Sequence, residues 1–435
     1  MIIESVSIKG MWSIGSEGLV FSGFGKHNLI IGKNNVGKSK LLAAINFFGQ
    51  KSRNIISSQP FDVPAEVLYD SGSDQIAQDA ALVIVVDVGD EVQLAVRSKL
   101  VNQLKSPRMT AMINDITSRR LEIHAKITDE RKMIGGVALL DVRPPNDDAY
   151  SRIKASTPGQ MAGDWNSAEG HVRSGFLTAF CSQIDYVSGW RSLREQRLSD
   201  PGNLNIIQQL HLWSDPPQFQ KHLRRRFERI QQLFHDLTRS KIDLHPEHTG
   251  QNLHVKIGDR YLPIESLGDG IQHLLMIAYH LVADSESILL LEEPETHLHP
   301  EIQRHLMAVL RRELRGQSFT TTHSPVLLDA GLHSHVYRVE HDGHRSAVNR
   351  CETPHDLRGV LDLLDVRASD ILQANLVIWV EGPTDRSFLR KCFELRGDKL
   401  EEGVDYQIAF YGGRLRSHLT FDEMAPDLVN LDHRG

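Results

Sequence analysis

The chain has 435 residues, of which 40% are hydrophobic and 24% charged, with a formal net charge of -7 and a pI near 6.3. That is enough chain to bury one large core or two, and it excludes a global polycation, so any nucleic-acid contact has to come from a local basic face. Cys181, Cys351 and Cys392 lie far apart without metal-type spacing, and neither a signal-peptide block nor a run of roughly 18 apolar residues occurs, so the expectation is a cytoplasmic globular protein without a disulfide framework or membrane span.

In chain order, the alternation of Ile2 to Ile8 predicts a strand, and Asn28 to Ile31 a second, buried strand that runs straight into a glycine. Behind Ser39, the apolar residues Leu41, Leu42, Ile45 and Phe48 recur at helical spacing. The apolar runs Ala81 to Val86 and Gln93 to Val96, separated by Gly89-Asp90, have the pattern of a hairpin; with Leu121 to Ile127 and Val137 to Leu140 they predict an antiparallel side sheet. From about Arg143 to Gly170 the chain is rich in Pro, Asp, Ser and Gly and reads as a loop or insertion. Gln218 to about Ser240 predicts an amphipathic helix, with Leu223, Phe227, Ile230, Phe234 and Leu237 on one stripe. Leu253 to Ile257 and Arg260 to Ile264 flank a Gly258-Asp259 turn as a hairpin. From Ser266 onward helix, buried strand, helix and strand alternate, which is α/β architecture. Near Arg367 the pattern changes again, and the strand Leu376 to Val380 opens a second, smaller domain.

Gly32-Lys33-Asn34-Asn35-Val36-Gly37-Lys38-Ser39 has the spacing of a phosphate-binding loop and the strand-loop-helix context it requires. Gly32, Asn34, Asn35 and Gly37 belong to the loop whose backbone N-H groups wrap phosphates at a helix start, Lys38 reaches the outer phosphates, and the Ser39 hydroxyl can ligate Mg2+. The apolar strand Ile288 to Leu291 delivers Glu292 and Glu293. Beside a phosphate-binding loop, Glu292 would hold the Mg2+ ion and Glu293 would polarise the attacking water. Phe319 to Thr322 places His323 at another strand end, where it can hydrogen-bond a γ-phosphate. Ser266, Gly268 and Gly270 form a further anion-binding arrangement at a helix start, which one nucleotide in one subunit does not need.

Other residue sets have competing readings. His297 and His299 could serve zinc as a His-X-His pair, but no cysteine or third histidine completes the set, and the segment also suits a subunit-contact loop. Arg191, in Tyr186 to Arg191, could reach the nucleotide or a neighbouring subunit, or form an ordinary surface salt bridge. The basic run Lys221, Arg224, Arg225, Arg226 and Arg229 could follow a phosphate backbone or be a solvated helix face.

Taken together, Gly32 to Ser39, Ser266 to Gln272, Glu292-Glu293 and His323 resemble the ABC/SMC-like ATPases, including RecF-like ones. The resemblance implies that ATP joins two copies head to tail, the Ser266 to Gly270 loop of one closing the site of the other. The loop is not Leu-Ser-Gly-Gly, and Glu292 stands where Asp is usual; both departures are similar to the OLD family and its AAA15-type relatives.

The segment Val380-Glu381-Gly382-Pro383-Thr384-Asp385-Arg386 resembles the opening of a Toprim domain, in which Glu381 and Asp385, four residues apart, can face one metal. Asp432 stands where a later acid of that fold is expected, whereas Arg434 occupies the second acid's place and the segment is short for a complete domain. The implied architecture is an α/β ABC-type P-loop ATPase head over residues 1–366, with an antiparallel side sheet and a helical and loop insertion at about 143–250, followed by a partial Toprim domain over 367–435. The implied activity is an ATP-regulated DNA nuclease using Mg2+ or Mn2+, often in anti-phage defence, acting as a homodimer or higher homo-oligomer. The alternative is a regulatory ATPase scaffold with an inactive Toprim remnant that holds and releases an effector protein or RNA.

Overall fold

The computed structural model describes residues 1–11, 14, 18–33, 36–50, 61–62, 80–89, 120–127, 132–139, 175–189, 193, 204–247, 251–330, 334–341, 346–352, 377–380, 383–396 and 406–410. In chain order the strands and helices are β1 (Ile2–Lys9), β2 (Leu19–Ser22), β3 (His27–Ile31), α1 (Lys38–Gln50), β4 (Phe61–Asp62), β5 (Ala81–Asp87), β6 (Arg120–Ile127) and β7 (Lys132–Leu139). They continue with β8 (Ile184–Val187), α2 (Ile206–Ser214), α3 (Lys221–Thr238), β9 (Asp243–Pro246), β10 (Leu253–Ile257), β11 (Arg260–Pro263), α4 (Asp269–Ala283) and β12 (Ile288–Glu292). The remainder are α5 (Pro300–Glu313), β13 (Gln317–Thr322), α6 (Pro325–Ala330), β14 (His335–His341), β15 (Ser346–Cys351), β16 (Val377–Val380), α7 (Pro383–Arg396) and β17 (Gln407–Phe410).

The central sheet has the order β15-β14-β3-β13-β12-β8. Its strands β14, β3, β13, β12 and β8 run parallel, and β15 pairs antiparallel at one edge. Every residue of β3 and β13 is buried, as expected for strands covered on both faces, and this explains why they read as continuous runs rather than alternations. Alternate side chains then serve two cores. Ile30, Leu290 and Phe319 face α1 and the second sheet, whereas Leu29, Ile31, Leu289 and Leu291 face α2 to α5.

The second sheet, order β2-β1-β5-β6-β7-β4, is antiparallel, and β5 alternates half-buried and buried residues with its buried set in the first core. Both edges of β5 are taken, by β1 and β6, so the expected hairpin with Gln93 to Val96 is corrected: β5 pairs with β6 across a longer connection, and residues 93–96 lie outside the described residues. The side sheet itself is present, with β6 and β7 in antiparallel register.

The amphipathic helix predicted from Gln218 begins as a 3-10 turn at Gln218–Gln220 and continues as α3, burying Leu223, Phe227, Ile230, Phe234 and Leu237. Before it, Asn205 and Gln208 form a reciprocal capping box that starts α2. Trp213 of α2 stacks on Tyr279 of α4 with ring centroids 5.2 Å apart. The Gly258-Asp259 hairpin forms as β10 and β11, with β9 on its other edge. Further along, β16 and β17 run parallel with α7 between them in sequence, a βαβ unit with its own small core of Val380, Tyr406 and Ile408. Among the described residues no helix is long and apolar enough to cross a membrane.

Candidate nucleotide site

Because β3, β13 and β12 are parallel neighbours, their C-terminal ends bring three sequence-distant segments side by side: the loop before Lys38, His323, and Glu292-Glu293. In open α/β sheets that end is where ligands bind. Gly32 follows β3 directly, and its lack of a side chain is required there: a Cβ would stand 2.5 Å from the Val339 carbonyl oxygen of β14. Asn34 and Asn35 lie outside the described residues. The Gly37 carbonyl accepts from Lys40 and Leu41 at 3.0 and 3.3 Å, so the loop passes straight into α1 with Lys38 and Ser39 in its first turn.

Lys38 is buried, and its Nζ donates to the carbonyl oxygens of Gly32 and Lys33 at 2.8 and 2.9 Å. Burial lowers its ammonium below the usual lysine range, against the opposing charges of Glu293 and Glu295. The cation is thus held inside the curl of the loop, facing the acids of the next strands.

Glu292 accepts a hydrogen bond from the Tyr186 hydroxyl of β8, which holds its carboxylate at the strand end. Glu293 adopts φ 44°, a left-handed conformation that non-glycine residues rarely take, and its N-H donates to the Thr321 carbonyl at 3.0 Å. Its Oε1 lies 3.6 Å from His323 Nδ1. The His323 imidazole beside it, and more weakly Lys38, hold the Glu293 carboxyl below the usual carboxylate range, and Glu293 in turn raises His323. This trio of Lys38, Glu293 and His323 pairs a retained negative charge with two donors.

A third acid joins them. Glu295 is 5% exposed, and its Oε1 accepts from the Thr322 hydroxyl at 2.7 Å and from the His323 N-H at 2.9 Å. Tyr186 and Glu295 are the residues that motif reading passed over. The signals were a third carboxylate within four residues after a buried strand, and the run Thr320-Thr321-Thr322, whose buried hydroxyls need partners.

The other predicted residues are placed as follows. Ser266 sits in a 3-10 turn (Ile264–Leu267), not in the helix start itself, and its hydroxyl donates to the Pro263 carbonyl. Gly268 is the N-cap of α4 and Gly270 lies in its first turn. Gly270 packs against the loop after β12, where a Cβ would meet the His297 carbonyl at 2.6 Å. His299 caps α5, its Nδ1 accepting from the Glu301 N-H at 3.4 Å, and Pro300 occupies the first helical position. No group of three or more His, Cys, Asp or Glu residues that could hold a metal occurs among the described residues, which leaves the His297/His299 zinc reading without a ligand set.

Of the basic run, Arg224 donates to the Ser214 carbonyl and approaches Glu228, Arg226 lies over the Trp213 ring at 5.5 Å, and Arg229 meets Glu313 at 2.5 Å. Asp385 is exposed in the first turn of α7, whereas Arg191, Glu381, Asp432 and Arg434 lie outside the described residues.

The head of an Smc protein solved bound to the C-winged helix domain of ScpA superposes with a TM-score of 0.54 at 15% identity, covering 82% of this chain and 100% of that one. An Smc head with an extended coiled coil, bound to the C-terminal domain of ScpA and derived from Pyrococcus furiosus, gives a TM-score of 0.51 at 12% identity over 84% of this chain and 98% of that one. At such identities the likeness is one of fold. Residues 186–329 match the family described as "AAA domain, putative AbiEii toxin, Type IV TA system". Together these matches show an SMC-head-like α/β framework within which residues 186–329 are similar to an AAA domain family. The OLD nuclease of Thermus scotoductus is 26% identical over 153 residues, which are 31% of this chain and 28% of that protein. The match therefore spans less than a third of that relative's length.

Proposed function

We propose that the chain hydrolyses ATP at a site built from Lys38, Ser39, Glu292, Glu293 and His323, and that two copies complete each other's sites. The carrying observation is the convergence of Lys38, Glu293 and His323 at the C-terminal ends of three adjacent strands. Gly32 and Gly37 let the loop fold closely, with Asn34 and Asn35 completing the phosphate cradle. Lys38 exchanges its carbonyl partners for phosphate oxygens. Glu293, kept ionised, accepts the proton of the water that attacks the terminal phosphorus, and His323 donates to the oxygens that gain charge.

The oxygen donors Ser39 and Glu292 fit Mg2+, which favours hard oxygen ligands and keeps waters rather than needing an all-protein cage. Mg2+ neutralises phosphate charge in such sites. Tyr186 keeps the Glu292 carboxylate at its strand end. Gly268 caps α4 with no side-chain hydrogen bond, which suits Ser266, Gly268 and Gly270 to close the site of a second copy.

The finer reading is an OLD-like, ATP-regulated, metal-dependent DNA nuclease of anti-phage defence, with Glu381, Asp385 and Asp432 as metal ligands of a Toprim unit over residues 367–435. The β16-α7-β17 unit and the similarity to an OLD nuclease support it. The test measures Mg2+-dependent ATP turnover, ATP-induced association, and cleavage of plasmid and linear DNA with Mg2+ or Mn2+. Lys38→Ala should lose turnover and association, and Glu293→Gln should keep association without turnover. Cleavage abolished by Glu381→Ala supports the nuclease reading. Turnover without any cleavage supports instead the scaffold that holds and releases an effector protein or RNA, and an active Glu293→Gln overturns the assigned base.

A further inference from the structure

Glu295 has no counterpart in the chemistry just assigned, yet its burial is costly. A carboxyl group removed from water needs partners for both oxygens, and Glu295 satisfies one: Oε2 is buried and makes no hydrogen bond among the described residues. Burial pushes this carboxyl above the usual carboxylate range, against the hydrogen bonds from Thr322 and His323 that pull it down. A glutamate serving only to fill space would be replaceable by an apolar residue with a gain in stability. What Oε1 does instead is specific. It takes the Thr322 hydroxyl at 2.7 Å and the His323 amide at 2.9 Å, and it stands 3.5 Å from His323 Nδ1.

A second clamp repeats the connection one residue on. The Ser324 hydroxyl donates to Gln303 Oε1 at 2.7 Å, and Gln303 Nε2 donates to the Leu298 carbonyl at 2.9 Å. The loop after β12 and the end of β13 are therefore fastened by side chains beyond the point where the backbone ladder of the two strands stops. The His323 side chain is exposed, 46% accessible, so burial does little to fix its ring against Glu293.

We propose that Glu295 is a positioning residue for ATP hydrolysis: by gripping Thr322 and the His323 amide it holds the end of β13 so that the His323 ring lies beside Glu293. This rests on the assignment of Glu293 and His323 to the hydrolytic site. Misplacing a catalytic group by about 1 Å costs up to roughly 100-fold in rate, so Glu295→Ala is expected to lower kcat roughly 10- to 100-fold while KM for ATP moves less than about threefold. Glu295→Gln keeps the Oε1 acceptor and recovers most of the turnover lost in Glu295→Ala. In a His323→Ala background, Glu295→Ala costs less than about threefold further, because the group it positions is gone. Thr322→Val, which removes one donor and leaves the fold's apolar volume, lowers kcat in the same direction.

The independent readout is the His323 ring signal in NMR spectra of the full chain, identified by its loss in His323→Ala and expected to shift in Glu295→Ala and Thr322→Val. Losses that multiply in the double variant, a KM rise matching the kcat fall, a folded Glu295→Gln as impaired as Glu295→Ala, or an unmoved His323 signal would each overturn the proposal. A wild-type chain without ATP turnover, or an active Glu293→Gln, instead removes the hydrolytic reading, and the ring signal then decides the structural claim alone.

Discussion

Glu293 and His323 depend on each other for their charge states. Glu293 is depressed chiefly by His323, and His323 is raised chiefly by Glu293. The Glu293 contribution to stability is present above the unfolded carboxylate value of about 4.3 and is lost as pH falls through the lower folded value. The His323 contribution is full below about 6.5 and is lost as pH rises through the higher folded value. The pair therefore stabilises most between those two limits. His323 is exposed and Glu293 half-buried, so solvent screening keeps the effect small. The difference in Tm between wild type and His323→Ala is expected to be largest near pH 5.5 and to shrink by pH 9. A difference that grows with pH would mean that no such pair forms. The glycine-rich loop before Lys38, Glu292-Glu293 and His323 are legible in the sequence as one candidate site because each is a short motif at a strand end. Tyr186 is not, because its role depends on β8 lying beside β12, a neighbour relation between residues 106 apart.

Single elements carry more of the stability. Trp213 is 3% exposed, stacks on Tyr279 and carries the Arg226 guanidinium over its ring. Truncating a buried aromatic of this size costs about 3–5 kcal/mol. Trp213→Ala is accordingly expected to lower the unfolding free energy by that amount with α2 and α3 loosened from α4, measurable by urea unfolding; a loss below about 1 kcal/mol would mean the helices pack without it. Gly270→Ala places a methyl group 2.6 Å from the His297 carbonyl, closer than real contacts allow, and backbone rather than a flexible side chain must yield. We expect reduced stability and faster amide exchange in the loop after β12, and unchanged exchange there would show that the contact is soft. Helix α3 was readable from its apolar stripe, but the fate of its arginines was not, since Glu313 and Trp213 reach them from other elements.

At the level of the whole molecule, two buried histidines are expected to make the fold acid-sensitive. Burial first of all lowers both His27 and His273 to about 4, so each is neutral in the folded chain at pH 7. A depressed imidazole costs stability as pH falls from the unfolded value of about 6.5 through the folded value. Tm should therefore decline across that interval, and a His27→Asn and His273→Leu double variant should decline less; parallel slopes would assign acid sensitivity elsewhere. The alternation of helix and buried strand announced an α/β head, and the antiparallel runs announced its side sheet. The partner of β5 was misread because local turn chemistry at Gly89-Asp90 competes with pairing across a long connection, and only the closed sheet, with β1 on one edge and β6 on the other, decides between them.

The seat of Gly270 on the His297 carbonyl has a consequence for ligands rather than for folding. The start of α4 and the loop that leads from Glu293 approach so closely at Gly270 that a side chain there would collide with the loop's backbone, which favours their moving together. For a nucleotide bound as proposed, any molecule whose binding to the Gly268 end shifts that loop changes the nucleotide's affinity by some factor, and the nucleotide must then change the affinity for that molecule by the same factor. A single glycine would thereby make the two ends of the proposed site thermodynamically reciprocal.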